Sequence, residues 1–298
     1  MKIAFIGLGV MGGHMARHLA GTYEVTVYDV DAARIERLVQ AGARPATSVA
    51  SAAEGADLVM LSLPTSQIVR DVAIGADGAI HAMVSGSVLI DMSTTAPETT
   101  LQVANELAER GVAFLDAPVS GGEGGARDAT LAIMVGGDEA VFERCRPVLE
   151  VIGGSVTRIG EVGSGGVAKL VNNMIVAAMF AVIAEGFSLG RECGLDPDVL
   201  YQAIRGGWAG SKVLDVAAPG IIADDYTPGG TVSQHFKDIG YALALARSRN
   251  CPVPMTAMVD EIFKAARASG YGDMAQQSIV KLWETIGIGR REKFGPHA

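Results

Sequence analysis

The chain has little cysteine, no run of positive charge and no apolar stretch long enough to cross a bilayer. Its three cysteines, Cys145, Cys193 and Cys251, are widely spaced with no C-x-x-C pair, which points away from a disulfide framework and from a structural zinc site. That usage suits a reducing compartment, so a cytoplasmic location is expected. Lys and Arg number 24 against 33 Asp and Glu, a net charge of -9, and without a basic patch nucleic acid is not expected as the main partner. An anionic substrate stays open, because local backbone donors bind a carboxylate inside an acidic protein. The longest uninterrupted apolar run, Met174 to Ala184, falls short of the roughly 20 residues a membrane span needs, so no membrane partner is expected. The fold signal begins at Lys2, so no targeting peptide is expected before it. His14 and His18 are spaced i,i+4 but have no glutamate between them and no acidic third ligand nearby, so no metal site is expected.

What the chain does have is apolar bulk and glycine in patterned places. Its 298 residues are 49% hydrophobic and 19% charged, enough for a large core and suggestive of two domains. Ile3 to Ile6 reads as a buried strand that opens onto Gly7-Leu8-Gly9-Val10-Met11-Gly12 and then a helix through Leu19. In that context G-x-G-x-x-G is a dinucleotide fingerprint: the first glycine permits the turn, the second clears the path of a pyrophosphate, and the third lets helix and strand pack closely. The next strand, Glu24 to Tyr28, ends at Asp29, about 20 residues after the motif, where a carboxylate accepts from ribose hydroxyls and repels a 2′-phosphate. With Asp31 beside it and no arginine before Arg34, NAD (NADH) is expected ahead of NADP.

Strand and helix patterns then alternate. Ala32 to Gln40 reads as helix; Asp57 to Leu63, Ser87 to Asp91, Val112 to Asp116, Leu131 to Val135 and Val156 to Ile159 read as strands; Thr95-Ala96-Pro97-Glu98 reads as a capping box with proline in the first turn. This alternation predicts a Rossmann-type, doubly wound, mostly parallel sheet. Its carboxyl-end loops, Leu63-Pro64-Thr65 and Ser93-Thr94-Thr95, should line the cofactor crevice. After Asp116 the loop Ala117-Pro118-Val119-Ser120-Gly121-Gly122 offers a hydroxyl and backbone N–H groups as a carboxylate cradle, though the same residues also suit a plain flexible connection.

From Gly160 the pattern changes to alanine-rich helices running to Ile286. An all-α C-terminal domain is expected, with residues 1–161 forming the NAD-binding domain and 162–298 the helical one. It is led by a helix without proline from Gly165 to Arg191, on which Lys169 and Asn173 project from one face at i,i+4. They are the candidate reaction centre, although a lysine lying along an apolar helix also fits simple snorkelling. The tail, residues 289–298 with Arg290, Arg291 and Lys293, is expected to be a solvated end.

Four stretches together resemble the beta-hydroxyacid dehydrogenase family over nearly the whole chain. They are the fingerprint Gly7 to Ala16; Asp116-Ala117-Pro118-Val119-Ser120-Gly121-Gly122; the G-x-x-G-x-G-x-x-x-K-x-x-x-N pattern at Gly160, Gly163, Gly165, Lys169 and Asn173; and Phe236-Lys237-Asp238-Ile239. His18 departs from the family's usual asparagine on the first helix. The resemblance implies that Lys169 protonates the carbonyl oxygen as NADH delivers hydride and acts as base in reverse, a role that requires lowering its ordinary pKa of about 10.4. It implies further that Asn173 aligns the reacting oxygen or the lysine, that Ser120, Gly121 and Gly122 hold the substrate carboxylate, and that Lys237 contacts the cofactor with Asp238 beside the substrate. A homodimer or homotetramer is implied as well. The segment Arg205 to Ser211, followed by Val213-Leu214-Asp215, resembles the family's 2-hydroxy-3-oxopropionate (tartronate semialdehyde) reductase branch more than its 3-hydroxyisobutyrate branch, and Ser211 would suit a hydroxylated substrate. An imine reductase on the same architecture is a competing expectation, disfavoured by the retained Lys169. So is a non-catalytic NAD-binding module. His235 is a further candidate for substrate contact, or an ordinary loop histidine.

Overall fold

A computed structural model describes residues 1–288; the expectation for the 289–298 tail lies outside the described residues. The chain divides into a unit Met1–Lys169 and a second unit that begins at Leu170. The division falls inside the long helix, later than the expected boundary at Glu161, because the first turns of that helix pack on the sheet.

The first unit runs β1 (Lys2–Ile6), α1 (Val10–Ala20), β2 (Glu24–Tyr28), α2 (Ala32–Val39), β3 (Arg44–Pro45), α3 (Val49–Ala53), β4 (Leu58–Leu61), α4 (Ser66–Ile74), β5 (Val88–Asp91) and α5 (Pro97–Ala108). It continues with β6 (Ala113–Asp116), β7 (Val119–Ser120), α6 (Gly122–Arg127), β8 (Leu131–Gly136), α7 (Glu139–Leu149) and β9 (Gly153–Gly160). The strands form one sheet in the order β3-β2-β1-β4-β5-β6-β8-β7, with β9 on β8. Pairing is parallel from β3 through β6, and β8 joins antiparallel to β6. Strand alternation shows why both faces are covered. Ile3, Phe5, Leu58 and Met60 enter one core, while Ala4, Ile6, Val59 and Leu61 enter the other. This is the doubly wound sheet expected from the near-continuous apolar runs.

Two local expectations are corrected. Thr95 does not cap α5: Ala96 is the N-cap, without a side-chain bond, and the Thr95 hydroxyl instead donates to buried Asp91 Oδ2 at 2.7 Å. A buried carboxylate needs donors more than a helix already started by Pro97 needs a cap. The stretch after Pro118, read as open loop, contains β7, which pairs antiparallel with β8, and the short helix α6. Buried Ala126 anchors α6 in the core despite its glycines, a case of packing overriding propensity.

α8 (Ser164–Glu192) carries the chain from the first unit into the second. The second unit holds α9 (Pro197–Arg205), α10 (Lys212–Ala223), α11 (Val232–Ser248), α12 (Pro254–Ala268) and α13 (Lys281–Thr285). Among the described residues its extended pairing is limited to the single bridge Thr231 to Ala275. Caps explain the helix starts: Asp196 ahead of Pro197, Ser211 for α10, and a Thr231–Gln234 capping box for α11. Ala177, Phe180, Ala184 and Phe187 of α8 pack with Leu214, Ile239 and Phe263. By length and composition α8 could cross a membrane, which the 174–184 run alone did not suggest. Its buried aromatic and alanine face is that of a core helix.

Candidate active site

The fingerprint is built as its spacing requires. Gly7 has φ 94°, and a Cβ there would run into Ser62 O, while one at Gly12 would run into Gly7 O. Both positions therefore demand glycine. Gly9 has open space where a Cβ would stand, so its backbone is approachable by a phosphate at the start of α1. Leu8 is buried beneath the turn, whereas Val10 is exposed and Met11 half-buried. Asp29 at the end of β2 accepts from Leu8 N–H at 2.6 Å and Asp31 N–H at 2.9 Å, which ties this carboxylate to the glycine turn. Arg34, the first arginine after Asp29, is brought back by α2 to 3.5 Å from Asp29 Oδ1 and 3.3 Å from Asp31 Oδ2. The residues present fit a dinucleotide.

The loops at the carboxyl ends of β4 and β5 are stitched together. Leu63 N–H donates to Ser93 Oγ at 2.9 Å, Ser93 N–H to Asp91 Oδ1 at 2.9 Å, and Ala96 N–H to Ser66 Oγ at 2.9 Å. Pro64 stands exposed in the first loop and Thr94 half-buried in the second. The sequence placed Ser93 and Thr95 in a crevice loop and gave Ser66 no role; these bonds were not readable, because the partners lie on other elements or across a turn.

One strand further on, Asp116 stands opposite Asp91 in the β5–β6 register. It is 2% exposed, and burial, with Asp91 adding like-charge repulsion, pushes its pKa up to about 6 against the pull of backbone N–H donors. Ser120 follows on β7, half-buried, opposite Ala132, and Gly121 and Gly122 turn the chain with φ 139° and 62°.

α8 carries Lys169 half-buried and, one turn on, Asn173 buried. In the second unit the Asn173 side-chain amide donates to Asp238 Oδ2 at 2.7 Å, and Lys237 Nζ lies 3.2 Å from Asp238 Oδ1 and over the Tyr241 ring. Asp238 of the fourth motif is thus a buried acceptor for Asn173, with Lys237 paired to its other oxygen. His235 is not a loop histidine: it sits on α11, buried between Phe180 and Phe263, with Nε2 3.1 Å from the Asn173 carbonyl. Ser211 is the N-cap of α10, its oxygen accepting from Leu214 N–H at 3.1 Å. His14 lies 3.7 Å from Glu123 and His18 2.9 Å from the Arg127 carbonyl, so each is engaged by α6.

Two family profiles match, the NAD-binding domain of 6-phosphogluconate dehydrogenase over residues 2–160 and the NAD-binding domain of NADP-dependent 3-hydroxyisobutyrate dehydrogenase over residues 163–283. The chain is 39% identical over 289 residues to 2-(hydroxymethyl)glutarate dehydrogenase of Eubacterium barkeri, covering 96% of each chain. The chain belongs to the beta-hydroxyacid dehydrogenase family. It is an NAD(P)-dependent oxidoreductase of that family. It is also 36% identical to 2-hydroxy-3-oxopropionate reductase of Escherichia coli, over 96% of this chain and 98% of that one. A crystal structure of 3-hydroxyisobutyrate dehydrogenase from Salmonella typhimurium superposes with a TM-score of 0.88 at 28% identity, covering 95% of this chain and 99% of the other. These relatives bear different substrate names, so the family bounds the chemistry to small hydroxy acids and leaves the individual acid to the site.

Proposed function

We propose that the protein reduces tartronate semialdehyde to glycerate with NADH, with the oxidation of a small 3-hydroxy acid as the reverse reaction. The observation that carries the reading is the pairing of Lys169 with Asn173 on one turn-to-turn face of α8, with the Asn173 amide fixed by buried Asp238. A bound nicotinamide dinucleotide supplies the hydride. Lys169 donates the proton that the carbonyl oxygen takes up as it becomes a hydroxyl, and recovers that proton in the reverse direction. Asn173, its carboxamide held by Asp238, keeps a donor aimed along the lysine's face of the helix. Ser120, with the N–H groups of Gly121 and Gly122, holds the substrate carboxylate. Lys237 takes the cofactor-contact role that the family resemblance implies.

The choice of a hydroxylated substrate rests on Ser211 and the segment around it. A cap uses a lone pair of the serine oxygen, and the O–H is available to donate, which favours a substrate with an additional hydroxyl over one with a methyl. The relative that is a 2-hydroxy-3-oxopropionate reductase supports the same choice. The test is NADH oxidation with tartronate semialdehyde and methylmalonate semialdehyde side by side: at least about tenfold higher kcat/KM for the first is expected, and the reverse preference contradicts the assignment.

NAD is the proposed cofactor because Asp29 is buried in place at the ribose end of β2. The nearby Arg34 tempers the carboxylate's repulsion of a 2′-phosphate, so the preference over NADP is moderate. A cytoplasmic enzyme follows from the cysteine usage. Self-association is proposed as well, on a specific observation: Val171, Ile175, Val182 and Leu189 of α8 form an exposed apolar stripe, each 50% or more accessible, and a second copy of this chain is the occupant that closed symmetry favours.

A further inference from the structure

The Asp116 carboxylate reaches beyond the loop that it precedes. Its Oδ1 accepts the Gly163 N–H at 2.7 Å and its Oδ2 the Gly166 N–H at 2.7 Å. Gly163 immediately precedes α8, and Gly166 is the third residue of that helix. The first N–H groups of a helix have no partner within it, and an N-cap side chain usually serves them. Glycine at the cap has none. A carboxylate from β6 takes the place of that side chain, and its charge is favourable at the positive end of the helix dipole.

The packing leaves the carboxylate little freedom. Gly163 has φ 93°, and a Cβ at Gly165 would run into the carbonyls of Met134 and Asp116. A Cβ at Gly136 would run into Asp116 Oδ1. Lys169 stands three residues beyond Gly166 on the same helix, and Ser120 four residues beyond Asp116, tied to β8 through Met134 N–H to Pro118 O at 3.1 Å.

We propose that Asp116 is a positioning residue: by holding the first turn of α8 to the end of β6 it sets Lys169 relative to the Ser120–Gly122 loop. This rests on the roles given above to Lys169 and Ser120. A purely structural cap that loses its charge would change stability and leave kcat unchanged, so the pH dependence of kcat separates the two. The charged group acting on Asp116 is Asp91 on β5, held by Ser93 N–H and Thr95 Oγ1, while Arg158 and Glu161 ahead of α8 pair with each other at 2.8 Å. Protonation of Asp116, whose pKa burial raises to about 6, puts a donor where two donors already point. The clamp is therefore complete above about pH 6 and weakened below it.

The test uses the full chain with NADH and tartronate semialdehyde, comparing wild type with Asp116→Asn across the pH range on both sides of 6, alongside NADH binding, thermal melting and amide hydrogen exchange of the 163–169 segment. The Asn variant is expected to lose roughly 10- to 100-fold in kcat, as misplacement of a reacting group does, with much smaller changes in KM and in NADH affinity. It is also expected to lack the wild type's fall in kcat below about pH 6 and to exchange faster at Gly163 and Gly166. A variant that melts lower but keeps both kcat and the acid limb overturns the proposal. If the wild type binds NADH and turns over none of the semialdehydes, the substrate reading fails. Exchange alone then decides the clamp, supported by faster exchange in the Asn variant and overturned by unchanged exchange.

Discussion

Asp116 carries a charge that its surroundings disfavour, and the pH dependence of stability follows from that. Its folded pKa of about 6 lies above the ordinary 3.8, so between those values the folded state binds more protons than the unfolded one. Unfolding free energy therefore declines as pH rises from about 4 to about 6, by up to about 3 kcal/mol from this group, and is level above that window. Asp116→Asn does not titrate, so its melting temperature should gain on the wild type over the same interval; scans at pH 4, 5, 6 and 7 check it, and a constant difference would contradict the assignment. The site thus keeps a charge at a cost in stability, as functional groups often do. Asp238 poses the complementary case. Asp238→Ala leaves the Asn173 amide without its carboxylate acceptor, which should lower stability by about 1–3 kcal/mol and kcat by about tenfold through loss of alignment. Melting and steady-state kinetics measure the two effects separately.

α8 is the element through which most of the proposed chemistry passes. It displays a small-residue and aromatic face, Ala177, Phe180, Ala181, Ala184 and Phe187, to the helical core, and the stripe Val171, Ile175, Val182 and Leu189 to solvent. Because the stripe is exposed in one chain, Ile175→Asp combined with Val182→Asp should alter the fold stability of that chain by only about 0.5 kcal/mol per site. Removing two apolar side chains from a subunit contact costs roughly 1.5–3 kcal/mol each, so light scattering should show the double variant shifted to a smaller species. An unchanged mass would place any assembly elsewhere. Elements were legible in the sequence where one signal dominated. Glu24–Tyr28 has the observed bounds, and the proline-free stretch from Gly165 differs from α8 by one residue at each end. They were illegible where packing outvoted propensity, as in glycine-rich α6, or where pairing was very short, as in two-residue β3. The misread cap at Thr95 has the same origin: its hydroxyl had a better partner in Asp91, a residue whose burial only the folded sheet reveals.

For the molecule as a whole, the glycine spacing and the alternation of strand and helix made the two-unit architecture and the dinucleotide fingerprint readable in advance. Contacts between distant segments were not readable in that way. Asp116 to Gly163 and Gly166, and Asn173 to Asp238, join residues far apart in sequence, and only the motif order hinted that they belong together. The proposed preference for NAD rests on Asp29, whose Oδ1 lies 3.5 Å from Arg34: Asp29→Ala should raise kcat/KM with NADPH relative to NADH by about tenfold, with both cofactors assayed at one ionic strength. In the proposed reaction Lys169 supplies the proton as NADH reduces a small semialdehyde. The most direct measurement is single-turnover NADH oxidation with tartronate semialdehyde by the wild type and by Lys169→Ala, with NADH affinity determined for both. Loss of at least about 100-fold in the rate of the chemical step at unchanged NADH affinity is the predicted result, and a variant that oxidises NADH as fast as the wild type would contradict the account.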